Sequence, residues 1–300
     1  MRIGVDLGGT KTESVAIDDT GAERARLRIS TPSHSYEEII ASIVRLVHDT
    51  EACVAQTGTV GIGIPGALSP ATGLVKNANT VVLIGRPFDR DIARALGRPV
   101  RVANDANCFA LSEASDGAGA GARVVFGVIV GTGTGGGVVV DGKLLTGPHA
   151  IAGEWGHNPL PWPRDDERPG PACYCGRSGC IETFLAGPSL ARDHQRHTGE
   201  ARDAGDIAGR AEAGDAAAVA SMTRYEDRMA RGLASVINLL DPDVIVLGGG
   251  VSNIARLYRE VPLRLGQYVF SDTVSTPIVP ARHGDSSGVR GAAWLWPLPR

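Results

Sequence analysis

Short apolar runs separated by glycine-rich breaks organise the first third of the chain. Arg2 to Leu7 reads as a strand, broken by Gly8-Gly9-Thr10-Lys11-Thr12. Glu13 to Ile17 continue as a second strand, and Asp18-Asp19-Thr20-Gly21 has the composition of a hairpin turn. Between residues 36 and 50 the apolar positions fall at Ile39, Ile40, Ile43, Val44 and Val47, the spacing of one helical face. Val60 to Ile64 predicts a short buried strand ending at Pro65-Gly66. Asp89 to Leu96 predicts a helix, Val100 to Ala103 a strand, and Ala106 to Ala114 a helix beginning just after Asn104-Asp105.

The same layout then starts again. Val125 to Val130 is strand-like, Gly131-Thr132-Gly133-Thr134-Gly135-Gly136-Gly137 forms a second glycine turn, Val138-Val139-Val140 is strand-like, and Asp141-Gly142 is a hairpin turn. Two halves that open alike point to an internal duplication, with the boundary in the small-residue segment Gly117-Ala118-Gly119-Ala120-Gly121-Ala122. Residues 148–182 are loop-rich, with Pro148, Pro159, Pro161, Pro163, Pro169 and Pro171. Helices are expected over about 203–238, then a strand at Val244 to Leu247 entering Gly248-Gly249-Gly250, and a last helix from Gly288 to Trp296. Alternating strands and helices predict α/β architecture. The expected domains are 1–117, with the C-terminal helix 288–300 packing back on it, and 118–287, carrying a loop at 157–182.

Composition changes this picture only by exclusion. Apolar residues are 43% and charged residues 21% of 300, ordinary for a globular protein, and the net charge of −3 gives no reason to expect nucleic acid as a partner. No apolar run approaches the roughly 18 residues of a membrane span, and Asp6 interrupts the N-terminus before a secretory apolar core could form. A cytoplasmic location is therefore expected. Of the five cysteines, an odd number, three crowd between Cys173 and Cys180, which points to metal binding rather than to a disulfide framework.

The glycine turns carry candidate chemistry. Glycines between two strands let backbone N–H groups face an anion with no Cβ in the way, Thr10 adds a hydroxyl, and Asp6 could hold a metal-bound water near a phosphate. A tight hairpin explains any one such turn equally well, but three are present, at 8–12, 131–137 and 248–250. No Walker-type Gly-x-x-x-x-Gly-Lys-Ser/Thr run occurs. Asp6-Leu7-Gly8-Gly9-Thr10-Lys11, Gly131-Thr132-Gly133 and Leu247-Gly248-Gly249-Gly250 resemble the two phosphate motifs and the adenosine motif of the actin-like sugar kinases. Together with the cysteine cluster, the resemblance is to the ROK family (repressors, open reading frames and kinases), from Ile3 to Trp296. It implies a two-lobed actin-like ATPase (ribonuclease H-like) fold and ATP binding with Mg²⁺. The implied ATP contacts are Asp6, Gly8, Gly9, Thr10, Lys11, Thr132, Gly133, Gly248 and Gly249.

Phosphoryl transfer needs a carboxylate to take the proton of the acceptor hydroxyl. Asp105, between a strand and a helix, is the candidate; the alternative is that it only caps the helix. Asn104-Asp105 looks like the family's catalytic pair, which implies Asp105 as base and Asn104 on a sugar hydroxyl. Glu154-Trp155-Gly156-His157 matches the family's Glu-x-Gly-His motif, so Glu154 and His157 are implied sugar contacts, and Glu182 is the third. Gly66 and Asn79 are weaker carry-overs, and Trp155 reads as packing.

Cys173-Tyr174-Cys175-Gly176-Arg177-Ser178-Gly179-Cys180 offers three thiolates, and an added imidazole would complete a closed, structural zinc site. The family motif pairs these cysteines with the upstream histidine, which implies His157 as fourth ligand, with its other ring nitrogen on the sugar. Cys53 and Cys108 read as packing residues. The first strand begins at Arg2, leaving no room for the DNA-binding domain of the family's repressors, so a non-catalytic sugar sensor is the competing class. Oligomeric state stays open, a homodimer included. The run Glu154-Trp155-Gly156-His157-Asn158-Pro159-Leu160-Pro161-Trp162 and the ending Gly291-Ala292-Ala293-Trp294-Leu295-Trp296 resemble the fructokinase branch. The expected reaction is thus D-fructose to fructose 6-phosphate, with glucose, mannose or N-acetylglucosamine as the alternatives.

Overall fold

A computed structural model describes residues 1–284 and 287–297. The chain divides into two compact units: residues 1–121, 137–152 and the described part of 285–300 form one, and 122–136 with 153–284 form the other. Of the helix expected over 288–300, residues 298–300 lie outside the described residues, and the helix itself ends at Trp294.

The first unit holds β1 (Arg2–Leu7), β2 (Lys11–Ile17), β3 (Glu23–Ser30), α1 (Tyr36–Val54), β4 (Thr59–Ile64), β5 (Ala67–Leu68), β6 (Val75–Lys76), α2 (Phe88–Leu96), β7 (Val100–Asn104) and α3 (Asp105–Ser115). Its sheet runs β3-β2-β1-β4-β7. The β1–β2 and β2–β3 pairs are antiparallel, as tight turns allow, and the β1–β4 and β4–β7 pairs are parallel, with a helix in each crossover. α1 starts where the Ser35 side chain accepts from the Glu38 N–H, and it buries Ile39, Ile43, Leu46 and Val47 against the sheet.

The chain continues through β8 (Val124–Val130), β9 (Thr134–Val140) and β10 (Lys143–Leu145). The short α4 (Glu182–Leu185) leads into α5 (Gly187–Thr198), α6 (Ala204–Glu212), α7 (Ala216–Leu240), β11 (Val244–Gly248), α8 (Arg256–Glu260), α9 (Pro262–Leu265) and β12 (Ile278–Pro280). The second sheet runs β10-β9-β8-β11-β12. Each sheet thus orders its own strands third, second, first, fourth, fifth, which is the structural counterpart of the repeated strand–glycine turn–strand layout. The helical stretch expected at 203–238 is broken once, because the Asp215 side chain accepts from Ala217 and Ala218 N–H and so begins a new helix.

The last element, α10 (Ser287–Trp294), lies against β1, β4 and α3 of the first unit. Small residues make that approach close. A Cβ on Gly291 would sit 1.6 Å from the Cys108 carbonyl oxygen, and one on Gly61 would sit 1.9 Å from that of Ala292. The Trp296 indole N–H donates to the Val60 carbonyl at 2.7 Å beyond the helix end.

Candidate functional site

In the first unit the end of β1 brings Asp6 beside Glu13 of β2 and Gly63 of β4. Gly63 and Gly288 leave room for its carboxylate: a Cβ on either would lie within 3.4 Å of a carboxylate oxygen. Burial pushes the Asp6 carboxyl up to about 7, reinforced by the nearby charges of Asp105 and Glu13 and opposed by Lys11. The Cys108 thiol is raised as well, by burial first and then by Asp6 and Asp105. Asp6, Asp105 and Cys108 therefore form one electrostatic neighbourhood, a grouping invisible in the sequence.

Asn104, not Asp105, caps α3. The Asn104 side-chain oxygen accepts from Ala106 N–H at 2.9 Å, and Asp105 is the first helical residue, its Oδ1 2.8 Å from the same N–H. The helix-cap role that competed for Asp105 thus falls mainly to its neighbour, and the carbonyl end of Asn104 is committed to the backbone. The turn after β1 is tight: Gly8 N–H donates to the Lys11 carbonyl at 3.1 Å, while Gly9, Thr10 and Lys11 are exposed. Gly66 is buried against Ala78, where a Cβ would clash at 2.8 Å, and Asn79 is exposed with its N–H on the Pro65 carbonyl.

In the second unit, Gly131 N–H donates to the Gly133 carbonyl at 2.9 Å, closing the turn between β8 and β9. One oxygen of Glu182 accepts from Thr134 N–H at 2.8 Å, so this implied sugar contact also braces the glycine turn. A Cβ at 133 would meet the same oxygen at 2.8 Å, so a side chain there would push the Glu182 carboxylate aside. Glu154 is exposed at the start of the 3-10 turn Trp155–His157. Trp155 is buried edge-on to Phe126 and donates to the Gly135 carbonyl at 3.0 Å, which makes it a packing residue.

His157, Cys173, Cys175 and Cys180 bring four ligand atoms within 4.8 Å of one another. The His157 Nδ1 to Cys173 Sγ distance and the Cys175 to Cys180 Sγ distance are both 3.6 Å. Ligands at zinc's usual ~2.0–2.3 Å stand about 3.5–3.8 Å apart at the corners of a tetrahedron, so this donor set fits the metal. The other ring nitrogen, Nε2, faces the Tyr174 hydroxyl at 2.8 Å and not open space. Tyr174 went unnoticed in the sequence, where a residue between two cysteines reads as spacer.

A cavity of about 850 Å³ lies within the second unit, beside Gly131 and Thr132, and is walled by Gly187, Ala204, Val251 and Ile254. Most of its walls are small or apolar, with Asp203, Glu212, Asn253 and Arg259 adding polar groups. Gly249 keeps the neighbouring backbone in place: its φ is +81°, and a Cβ would stand 2.5 Å from the Val130 carbonyl oxygen. Gly187 and Val251 carried no signal in the sequence because neither belongs to a polar motif.

Residues 2–298 match the model of the ROK family. The N-acetyl-D-glucosamine kinase of Vibrio cholerae is 40% identical over 299 residues, covering 98% of this chain and 99% of that one. Among solved structures, the ROK hexokinase from Thermus thermophilus is similar with a TM-score of 0.86 at 32% identity, over 97% of this chain and 96% of the other. A ROK family glucokinase from Streptomyces griseus, in complex with glucose and AMPPNP, has a TM-score of 0.78 at 28% identity over 98% of each chain. The fructokinase expectation finds no support in these relatives, which favour its N-acetylglucosamine alternative. In the segments that carried it, Trp162 stacks on Tyr268, Trp294 lies under Arg2, and Trp296 bonds Val60. Among the described residues no helix is long and apolar enough to cross a membrane.

Proposed function

The chain belongs to the ROK family, and from that premise we propose that it is an ATP-dependent sugar kinase acting on N-acetyl-D-glucosamine at the 6-hydroxyl. The observation that carries the substrate is the 40% identity with an N-acetyl-D-glucosamine kinase across 98% of the chain, against 32% and 28% with the hexokinase and the glucokinase.

The reaction follows from the residues in these roles. Asp105 accepts the proton of the 6-hydroxyl as its oxygen bonds to the γ-phosphorus, and the bond from that phosphorus to the ADP oxygen breaks in line. Asn104 reaches the sugar through its NH₂, since its oxygen caps α3. Glu154, His157 and Glu182 orient the ring through its hydroxyls, with Gly66 and Asn79 lining the approach. Gly8, Gly9, Thr10, Lys11, Thr132 and Gly133 hold the phosphates, Gly248 and Gly249 support the adenosine end, and the cavity beside Thr132 takes the base. Mg²⁺, when bound, would neutralise phosphate charge, and Asp6 is the carboxylate that would help hold it. Zinc on His157, Cys173, Cys175 and Cys180 would be structural.

The test is kcat/KM for N-acetylglucosamine, glucose, mannose and fructose with ATP. N-acetylglucosamine should lead. A lead for fructose would restore the fructokinase reading, and no turnover of any sugar that binds would favour a sensor.

A further inference from the structure

The middle of α7 is charged where it should be apolar. Glu226, Asp227, Arg228 and Arg231 fall in a stretch, Tyr225 to Ala234, that is buried throughout. Arg231 is 1% exposed, and its partner Glu167, on the proline-rich loop, is 3% exposed. Burying such charges costs more than an apolar pair of the same volume, so their presence needs a reason beyond stability.

Their bonds supply one. Arg231 Nη1 donates to the carbonyls of Pro161 at 3.3 Å and Trp162 at 2.9 Å, as well as to Glu167 at 2.7 Å. Its Nη2 reaches the second Glu167 oxygen at 2.7 Å and Asp227 at 3.0 Å. Arg228 donates to Glu167 at 2.7 Å and to Asp193 at 2.8 Å, tying the group to α5. Burial alone would raise the Glu167 carboxyl, but the bonds from Arg231 and Arg228 outweigh it and hold it at about 2, ionised at any physiological pH. Trp162, at a left-handed φ of 45°, is held from its other side by stacking on Tyr268, whose hydroxyl donates to Asp227 at 2.7 Å. A non-glycine residue keeps such a conformation only where its surroundings enforce it.

The backbone so held is the exit of the His157 segment. Pro161 is four residues past His157, and between them Leu160 N–H donates to Gly179 and Ile181 N–H donates to the Asn158 carbonyl, flanking Cys180. A shift at Pro161 and Trp162 is therefore passed to both His157 and Cys180.

We propose that Arg231, set by Glu167, is a positioning residue for the His157–Cys180 ligand group and, through it, for sugar recognition. This rests on the roles given above to His157. It fixes the loop by its carbonyl bonds, so the ligands are prearranged before metal or sugar arrives.

The test is the double variant Glu167→Leu/Arg231→Met, which removes both charges together and leaves Arg228 its bond to Asp193, beside the single variant Arg231→Lys, which keeps a charge for Glu167 but loses the fork to the two carbonyls. Zinc loss to a chelator is followed in sugar-free protein, and KM is measured for sugar and for ATP. Both variants should lose zinc to a chelator more fully, in keeping with the roughly 10–100-fold fall in metal affinity that follows when the support of a ligand is removed. Sugar KM should rise about tenfold with ATP KM unchanged. Wild-type zinc retention and sugar KM in either folded variant would overturn the proposal. Should the double variant fail to fold, Arg231→Lys decides. A wrong sugar assignment leaves the chelator result intact, and a wild-type protein that holds no zinc would reject the ligand reading while the KM comparison still tests the positioning.

Discussion

The acidic group of the first unit and the thiol–imidazole group of the second are held by opposite means. Asp6 and Asp105 stand at the ends of regular elements, the last turn of a central strand and the first residue of a helix, with glycines clearing space around Asp6. His157 and the three cysteines stand on irregular backbone with short 3-10 turns, held by a few loop hydrogen bonds, by buried ion pairs and, on the proposed reading, by a metal. A base that must meet a reacting atom gains from a rigid scaffold, whereas a group that recognises a ligand can sit on a loop if the loop is stapled. The chemistry of the first group should accordingly fail in rate, and that of the second in affinity.

The largest expected effect is on Asp105. Asp105→Asn should leave sugar binding near wild type and lower kcat by about 10²–10⁴-fold, the usual loss with a general base. Titration of sugar binding beside steady-state kinetics checks it; near-normal turnover would reduce Asp105 to a structural first-turn residue and erase the contrast. Asp6 comes next. Its carboxyl rises from 3.8 to about 7 in the folded chain, so between those values the native state binds the extra proton and stability falls as pH rises. Ligand-free wild-type protein should lose on the order of a few kcal/mol between pH 4 and 7 from this group, and Asp6→Asn should flatten that part of the profile and be the more stable at pH 7. Thermal unfolding across that range measures it. An unchanged slope would mean that Asp6 is not the buried, proton-holding member of the pair.

What could be read in advance follows the same division. The strand–glycine turn–strand layout, the α1 face and the final helix were legible because period and turn chemistry are local. β3 was not read, although Ala25, Leu27 and Ile29 alternate with Arg24, Arg26 and Arg28; its many charges and part-exposed positions give it the look of a loop. Nor was α5, which buries only Ser189, Leu190 and His194 of its twelve residues and starts at a Gly-Pro pair that reads as loop. The cysteine spacing gave away the ligand group, since few other functions use three thiols in eight residues. Its support did not show, because Glu167, Arg228 and Arg231 carry the composition of a solvated helix face and only the fold reveals them buried. The fructokinase reading found no support for a similar reason, since the segments 154–162 and 291–296 that suggested it hold tryptophans engaged in packing.

The second group should fail more gently. Cys175→Ser removes one of the four donors, and purified wild-type protein should carry one zinc per chain that the variant loses. Sugar KM should rise about tenfold, in keeping with losses of 10–100-fold when ligand orientation is relaxed, while kcat changes less. Metal analysis of reduced protein and a KM–kcat comparison decide it. An equal fall in kcat would show that the two groups are not divided between rate and affinity.

The smallest effect sharpens the contrast most, because it concerns one hydrogen bond. With a metal on Nδ1 of His157, Nε2 carries the ring proton and can only donate. Its acceptor in this structure is the Tyr174 hydroxyl at 2.8 Å. One N–H serves one acceptor well, so a sugar hydroxyl that bonds Nε2 must displace the phenol. Tyr174 is 78% exposed, and swinging it aside forfeits little buried surface. Tyr174→Phe removes the rival acceptor and keeps the ring. Net hydrogen bonds contribute about 0.5–1.5 kcal/mol, so the variant should bind N-acetylglucosamine about 2–10-fold more tightly, with zinc content and kcat unchanged. Calorimetric titration without ATP measures this directly. Weaker binding would mean that the phenol itself holds the sugar, and the second group would then recognise its ligand through an exposed residue between two of its own cysteines.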